Sequence, residues 1–305
     1  MLTILGGGAI GLFLASLFSK DDDVILITHS IIQSNKINSD GIYVSGLKKI
    51  YTKNVLSISF NSPKLNKILP YSKLLFICLK SYDTKNVLLK LKKTISENTI
   101  IVTIQNGLGN KEIIKQLFPK NRVIESVISF GVTKISENKV LFCGNGDMII
   151  SNAIRREKIF KKFFWIKAKY VKNITKYIWE KFTINSTINA LGTILNMQNG
   201  ELMKQNYVKN IMKQLVEELI FVAKSYNIKI TKNIFKKIKK ICKKTAKNFN
   251  SMLQDILKHK NVTEIEFLNG KLLSMAKEKG LYLPANETVY ELIKTMEQSN
   301  KDIYG

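Results

Sequence analysis

The feature that most constrains the fold lies near residue 6, where a short apolar run meets a cluster of glycines. The run MLTIL is followed directly by GGGAIG, which spaces Gly6, Gly8 and Gly11 as GxGxxG, and then by apolar residues with helical spacing. The run VILIT, residues 24–28, supplies a second strand. A strand, a glycine turn, a helix and a strand in this order predict the opening βαβ unit of a dinucleotide-binding fold.

Each glycine of this turn has a separate physical reason. The first permits the tight turn, the second lets the backbone approach a pyrophosphate, and the third lets the helix and strand pack closely. The helix N-terminus adds positive potential toward the phosphates. We therefore expect Gly6, Gly8, Ala9, Ile10 and Gly11 to bind the cofactor.

The end of the second predicted strand indicates which dinucleotide is bound. NAD-specific sites usually place Asp or Glu here to hold the ribose hydroxyls, whereas this chain has Thr28, His29 and Ser30. Because no carboxylate would repel a 2′-phosphate, NADPH is favoured, with His29 or Ser30 as phosphate contacts. The alternative for His29 is an ordinary exposed loop histidine.

Strand-like and helix-like segments divide the chain into two parts. Strand-like runs and one helical stretch continue to residue 104, and short strands with turns but without helices follow at 123–151. Beyond about residue 172 almost every segment has helical spacing, including long ones through Leu195 and over 207–226 and shorter ones around Phe235, Thr263 and Glu287. We predict an α/β protein with a Rossmann-type domain and an antiparallel extension in residues 1–170, and an all-α domain in residues 171–305.

The formal charge of +26, from 49 Lys plus Arg against 23 Asp plus Glu, raises the question of nucleic-acid binding. The lysines are spread along the chain, however, and the run KNIFKKIKKICKK, residues 232–244, spaces its apolar residues along one helix face. No nucleic-acid partner is therefore expected.

The three cysteines lack paired spacing and are interpreted as reduced and structural, and no metal site is expected.

No run of 18 uncharged apolar residues occurs, and glycines at 6–8 interrupt the apolar core that a signal peptide would need. The sequence thus predicts a cytoplasmic protein without a membrane partner.

The stretch KFTINSTIN, residues 181–189, combines a helical context with residues that are mediocre helix formers. At about 100° per residue, Lys181, Asn185 and Asn189 fall at roughly 0°, 40° and 80°, so they line one narrow stripe of a helix. An ammonium and two amides on one stripe indicate a polar ligand.

The motifs together resemble the ketopantoate reductase family over nearly the whole chain. The likeness is carried in order by ILGGGAIG, LLFICLKSYDT, IVTIQNGLGN, WEKFTINSTINALGTILNMQNGEL and NFNSMLQDILKHKNVTEIEFLNGKLL. It implies an enzyme that reduces 2-dehydropantoate to pantoate with NADPH, in pantothenate and coenzyme A biosynthesis. The implied partner is a small 2-keto acid, and the implied assembly is a monomer or a homodimer.

The resemblance also assigns residues of the predicted helical stripe. Lys181 matches the catalytic lysine, and Asn185 and Asn189 match substrate-binding asparagines at a domain cleft. Lys181 is the implied acid for the ketone oxygen. Glu264 matches a glutamate that either orients this lysine or holds the substrate hydroxyl, and it is also a candidate for contact with the cofactor.

Other segments supply the remaining candidates. Lys80 matches a strand-end lysine beside the cofactor, and Asn106 matches an asparagine near both the nicotinamide ribose and the substrate. Asn248 and Ser251 match positions that hold the substrate carboxylate. At His29 the chain departs from the family, in which many members have Arg for the 2′-phosphate.

Two alternatives stay open on the sequence. The first is a related NAD(P)H-dependent reductase of another 2-keto acid, and the second is a non-catalytic dinucleotide sensor with a basic nucleic-acid-binding surface.

Overall fold

A computed structural model describes residues 1–156 and 168–304. The chain forms two compact units. The first unit comprises Met1–Gln105 and Asn110–Ile174, and the second comprises Asn106–Gly109 and Thr175–Gly305. The predicted division after residue 170 remains a proposal. The four residues Asn106–Gly109 belong with the helices of the second unit.

The first unit alternates strands and helices. Its elements are β1 (Leu2–Leu5), α1 (Ala9–Phe18), β2 (Val24–Thr28), α2 (Ile31–Asp40), β3 (Ile42–Gly46), β4 (Ile50–Thr52), β5 (Val55–Ser59), α3 (Leu65–Ile68), β6 (Leu74–Ile77), α4 (Ser81–Leu91), β7 (Ile100–Thr103), α5 (Asn110–Leu117), β8 (Val123–Ile128), β9 (Gly131–Ser136), β10 (Lys139–Gly144), β11 (Met148–Ser151) and β12 (Lys169–Val171).

The large sheet has the strand order β12-β11-β8-β7-β6-β1-β2-β5. The six strands that are neighbours in this order from β8 to β5 pair in parallel. Strand β11 pairs antiparallel with β8, and β12 pairs parallel with β11. Strands β1, β2 and β6 are buried at every residue, because apolar clusters cover both faces of the sheet. The predicted Rossmann-type fold with an antiparallel extension is confirmed.

A second, four-stranded sheet of order β4-β3-β10-β9 differs from the prediction, which assigned all strands of residues 123–151 to the extension. Strand β10 pairs antiparallel with β9 and parallel with β3, from a distant part of the sequence. Phe142 of β10 stacks on Phe13 of α1, with ring centroids 4.7 Å apart. Helix α1 is therefore buried on nearly all sides, which explains its continuous apolar composition.

The second unit is helical, as predicted, in the part of the chain that the structure describes. Its helices are α6 (Thr175–Ile194), α7 (Asn206–Ser225), α8 (Ile234–Lys244), α9 (Ser251–Leu257), α10 (Asn269–Glu278) and α11 (Pro284–Tyr304). The amphipathic interpretation of residues 232–244 is confirmed, since Ile234, Ile238 and Cys242 are buried and the lysines of α8 are mostly exposed.

One helix prediction was wrong. Thr263 lies in a loop, followed by a short 3₁₀ turn at Ile265–Phe267, because its hydroxyl and amide bond to Glu297 rather than extending a helix. The structural interpretation of the cysteines fits the buried Cys242, whereas the Cys143 side chain is exposed.

Helix α6 forms the centre of the second unit. Most of its side chains are buried, including Trp179, Phe182 and Ile188. Its buried threonines, Thr183 and Thr187, each donate a hydroxyl hydrogen bond of 2.8 Å to the carbonyl four residues earlier. Tertiary packing on several sides therefore compensates for the modest helix propensity of this segment.

Candidate functional site

The glycine turn between β1 and α1 has the geometry that a pyrophosphate cradle needs. Gly6 has φ +119°, and a Cβ there would lie 2.8 Å from the Cys78 carbonyl oxygen. A Cβ on Gly11 would collide with the Gly6 carbonyl oxygen, whereas a Cβ on Gly8 would meet no atom within 4 Å. Gly6 and Gly11 thus permit close packing, and Gly8 leaves open space at the helix N-terminus. This cradle fits a dinucleotide pyrophosphate.

Side-chain support for the turn comes from α2. The Gln33 side chain is buried, and its Nε2 donates hydrogen bonds to the Gly7 carbonyl at 2.7 Å and the Glu137 carbonyl at 2.8 Å. No sequence signal singled out Gln33, because this role depends on how α2 packs. The first turn of α1, with half-buried Ala9 and Ile10, carries no acidic residue that would repel a phosphate.

The two candidates at the end of β2 differ in their surroundings. The His29 side chain is exposed. Ser30 is the N-cap of α2, and its Oγ accepts hydrogen bonds from the Ile32 amide at 3.1 Å and the Gln33 amide at 3.4 Å. The first turn of α2 contains no acidic residue, so this helix N-terminus presents positive potential beside His29.

Lys80 follows β6 and is the N-cap residue of α4, with extended backbone dihedrals and a half-buried side chain. Its carbonyl accepts a hydrogen bond of 3.2 Å from the Thr84 hydroxyl. Gln105, after β7, donates hydrogen bonds from Nε2 to the Leu79 carbonyl and to Thr84. The carboxyl ends of β6 and β7 are thus joined where ligands of open α/β sheets bind.

In the second unit, α6 carries the predicted polar stripe. Lys181 and Asn185 are half-buried, and Asn189, one turn further on, is 8% exposed. The helix is continuous from Thr175 to Ile194, so the three side chains share one face.

Two other segments of the second unit bring polar groups to this stripe. Asn185 Nδ2 donates a hydrogen bond of 3.3 Å to Asn106 Oδ1, and Asn106 Nδ2 donates one of 3.3 Å to Glu264 Oε2. Gly107, with φ +84°, lets this loop pass close to Phe267, since a Cβ there would collide with the Phe267 carbonyl oxygen. We call Lys181, Asn185, Asn106 and Glu264 the polar cluster.

The charge of Lys181 is set by two opposing effects. Its side chain keeps some contact with solvent, but the protein around its ammonium lowers its pKa from 10.5 to about 8, because burial penalises the charged form. The nearby carboxylate of Glu264 acts in the opposite direction and raises the pKa. A lysine with this pKa is mainly protonated at pH 7 and can release its proton readily.

Glu264 is itself held by residues that sequence reasoning missed. Glu297 of α11 is buried, and its Oε1 accepts hydrogen bonds from the Thr263 amide at 2.6 Å and the Thr263 hydroxyl at 2.8 Å. Lys294 pairs with the other Glu297 oxygen at 2.7 Å. A buried carboxylate whose two oxygens both have partners fixes the backbone immediately before Glu264.

The last two candidates, Asn248 and Ser251, are both exposed at the N-terminal end of α9. Between them, Asn250 is buried and caps α9 by accepting the Leu253 amide at 2.9 Å. A Cβ on Gly192 would lie 2.7 Å from Asn250 Nδ2, so α9 packs closely on α6 at this point. Asn248 and Ser251 thus flank this contact. In the part of the chain that the structure describes, the hydrogen bonds from Asn185 to Asn106 and from Asn106 to Glu264 do not extend to them.

Comparisons with known proteins cover both units. A family model for ketopantoate reductase PanE/ApbA matches residues 2–154, and the model for the C-terminal part of the same family matches residues 173–297. A 2-dehydropantoate 2-reductase from Pyrococcus horikoshii is 32% identical over an alignment of 304 positions, which covers 96% of this chain and 96% of that one.

Solved structures show the same fold. The crystal structure of a PanE/ApbA family ketopantoate reductase from Ralstonia eutropha has a TM-score of 0.90 at 22% identity, covering 99% of this chain and 100% of that one. A D-mandelate dehydrogenase in complex with NADH and anilino(oxo)acetate has a TM-score of 0.89 at 21% identity, covering 99% of both chains.

The Rossmann-type unit, its glycine cradle and the polar cluster of the helical unit define a dinucleotide-binding oxidoreductase. Both family models agree with this class and together span most of the sequence. The chain belongs to the ketopantoate reductase PanE/ApbA family. Among the helices of the described residues, none has the length and apolar character needed to span a membrane.

Proposed function

We propose that this protein reduces 2-dehydropantoate to pantoate with NADPH. The single observation that carries the proposal is the polar cluster, in which a half-buried lysine with a lowered pKa lies beside a glutamate and two asparagines. Further support comes from the similarity to the 2-dehydropantoate 2-reductase of Pyrococcus horikoshii and from the glycine cradle. On this proposal the enzyme contributes to pantothenate and coenzyme A biosynthesis.

The cofactor is proposed to bind along the carboxyl ends of the parallel strands. Gly6, Gly8, Ala9, Ile10 and Gly11 would hold its pyrophosphate through backbone groups and the α1 N-terminus. When bound, the nicotinamide supplies the hydride for the ketone carbon.

Specificity for NADPH is proposed to come from the end of β2. The exposed His29 and the N-terminus of α2 would contact a 2′-phosphate, and no carboxylate follows β2 to repel it. Lys80, Asn106 and Glu264 are proposed as further cofactor contacts, from their positions after β6, after β7 and in the polar cluster.

Lys181 is proposed as the general acid. Negative charge grows on the ketone oxygen during reduction, and a positioned ammonium stabilises it and delivers the proton. The pKa of about 8 suits this role, because the group is protonated at neutral pH but is a stronger acid than an ordinary lysine.

The remaining groups position the reactants. Glu264 holds Lys181 in its charged form through their electrostatic attraction and also accepts a hydrogen bond from Asn106. Asn185 and Asn189, with Asn106, would orient the substrate oxygens without adding charge. Asn248 and Ser251 would bind the substrate carboxylate from the exposed end of α9.

The test is to follow NADPH oxidation by its nicotinamide absorbance in the presence of 2-dehydropantoate. Parallel samples contain NADH, pyruvate-type 2-keto acids, or no keto acid. We expect the highest kcat/KM with 2-dehydropantoate and NADPH. A higher value with another keto acid would reassign the substrate, and equal use of NADH would remove the role of His29. Sedimentation of the same sample distinguishes a monomer from a homodimer.

A further inference from the structure

One concavity of the helical unit lies outside the polar cluster and is strongly basic. It has a volume of about 510 Å³ and includes the side chains of Lys204, Lys209, Lys239, Lys243 and Lys247. We call it the lysine pocket. Its size lies within the range of about 300–1,000 Å³ that small-molecule sites occupy.

Two chain segments bring these charges together. Lys239 and Lys243 are one turn apart on α8, and Lys247 follows the helix, while Lys204 and Lys209 lie just before and within the start of α7. The segments meet at Gly200, whose amide donates a hydrogen bond of 3.1 Å to the Ala246 carbonyl. A Cβ on Gly200 would lie 2.6 Å from that of Ala246, so only glycine allows this approach.

The lysines that line the lysine pocket outnumber its acidic residues five to one. Its one acidic lining residue, Glu201, directs Oε2 to the Gln198 amide at 2.9 Å. Within residues 1–156 and 168–304, none of the five lysines forms an ion pair with a carboxylate. Lys237 of the same helix, by contrast, pairs with the buried Glu180 at 2.7 Å. Five like charges around one concavity favour a multiply charged anion.

We propose that the lysine pocket binds a compact polyphosphate anion, either free inorganic polyphosphate or the phosphate chain of a nucleotide. Ammonium groups bind phosphate oxygens as point charges, and several of them match a ligand that carries several charges. This site is separate from the glycine cradle, which belongs to the other unit.

Next to Gly200, the chain is hydrogen-bonded to the segment that leads into α9. The Asn199 amide donates a hydrogen bond of 3.0 Å to the Asn248 carbonyl, and Asn199 Nδ2 donates one of 2.9 Å to the Thr245 hydroxyl. An anion that bridges Lys204 and Lys247 would hold these two segments together. Its binding therefore slows hydrogen exchange of the Asn199 and Gly200 amides.

The test is isothermal titration of the full-length protein with tripolyphosphate and, separately, with ATP. NADPH is present at saturation so that the glycine cradle is already filled. The pocket variant is K239Q/K243Q/K247Q, and the matched control is K232Q/K236Q/K240Q, which removes three charges from exposed lysines of the same segment outside the pocket lining.

We expect one saturable site per chain, with affinity reduced about tenfold or more in the pocket variant and by less than about twofold in the control. Similar affinity for both ligands identifies the phosphate chain alone as the ligand, whereas tighter binding of ATP identifies a nucleotide. Equal weakening in both variants, or heat that never saturates, would overturn the proposal by showing a diffuse basic surface.

A single-stranded oligonucleotide that displaces tripolyphosphate equally from both variants would also overturn the proposal, in favour of nucleic-acid binding along the whole basic segment. Because all these measurements report binding, failure of keto acid reduction would leave the outcome for the lysine pocket unchanged.

Discussion

The glycine cradle of the first unit and the polar cluster of the second are built from different parts of the chain. The cradle consists of backbone groups within residues 6–11, and its glycines leave the space where the ligand is proposed to bind free of side chains. The cluster consists of side chains from three segments, and the bonded pair Asn106 and Glu264 is 158 residues apart in sequence. A site made of backbone is disrupted by adding atoms, whereas a site made of side chains is disrupted by removing them.

The largest expected effect comes from removing an atom group in the polar cluster. Lys181→Ala should reduce turnover by about 10²–10⁴-fold, because it removes the proposed general acid. NADPH affinity should stay near that of the unchanged protein. Steady-state NADPH oxidation and fluorescence titration with NADPH measure the two quantities. The matched control is Lys176→Ala on the exposed face of the same helix. Near-normal turnover of Lys181→Ala would contradict the assignment.

The next effect comes from adding an atom to the cradle. Gly8→Ala places a methyl group in open space, so folding is tolerated, but the methyl should displace the pyrophosphate and weaken NADPH binding about tenfold to a hundredfold. Gly11→Ala should instead lower the free energy of unfolding by about 1–3 kcal/mol, because its Cβ meets the Gly6 carbonyl oxygen. NADPH titration and urea unfolding separate these outcomes. Equal loss of stability in both variants would show that Gly8 is needed for packing.

A smaller effect is expected one step away from the cluster. Glu297→Ala leaves the buried Thr263 amide without its acceptor, which costs about 1–3 kcal/mol of stability and releases the backbone before Glu264. We expect a lower kcat/KM in this variant and recovery in Glu297→Gln, which keeps an acceptor oxygen. If Glu297→Gln is as impaired as Glu297→Ala, the charge of Glu297 matters rather than its hydrogen bonds. Chemical unfolding and steady-state kinetics provide the two readouts.

The smallest effect is a displacement of the pH profile. Lys181 is protonated below its pKa of about 8, so kcat/KM for reduction should fall as the pH rises through that value. Glu264 raises this pKa, and Glu264→Gln should therefore move the alkaline limb to lower pH. The measurement is kcat/KM, normalised for each variant, across the pH range. An unmoved limb would show that Glu264 does not act on the charge of Lys181.

The difference between the two sites also explains which predictions were possible. The helical stripe of Lys181, Asn185 and Asn189 follows from a local period of about 3.6 residues, and α6 has that geometry. The contacts of Gln33 with the glycine turn and of Glu297 with Thr263 follow no local period. The small sheet was missed for the same reason, because β10 pairs with β3 from a distant part of the sequence.

The sequence by itself determined the opening strand–turn–helix–strand unit, the helical character of the second half, the glycine cradle, the stripe on α6 and the excess of lysine. These properties depend on backbone geometry and on neighbours within one or two turns. Only the tertiary structure decided that Glu264 joins Asn106 and lies near Lys181, and that five lysines surround one concavity. Those properties depend on burial and charge at distances that chain folding alone brings within a few ångströms, where desolvation and Coulomb interactions become large.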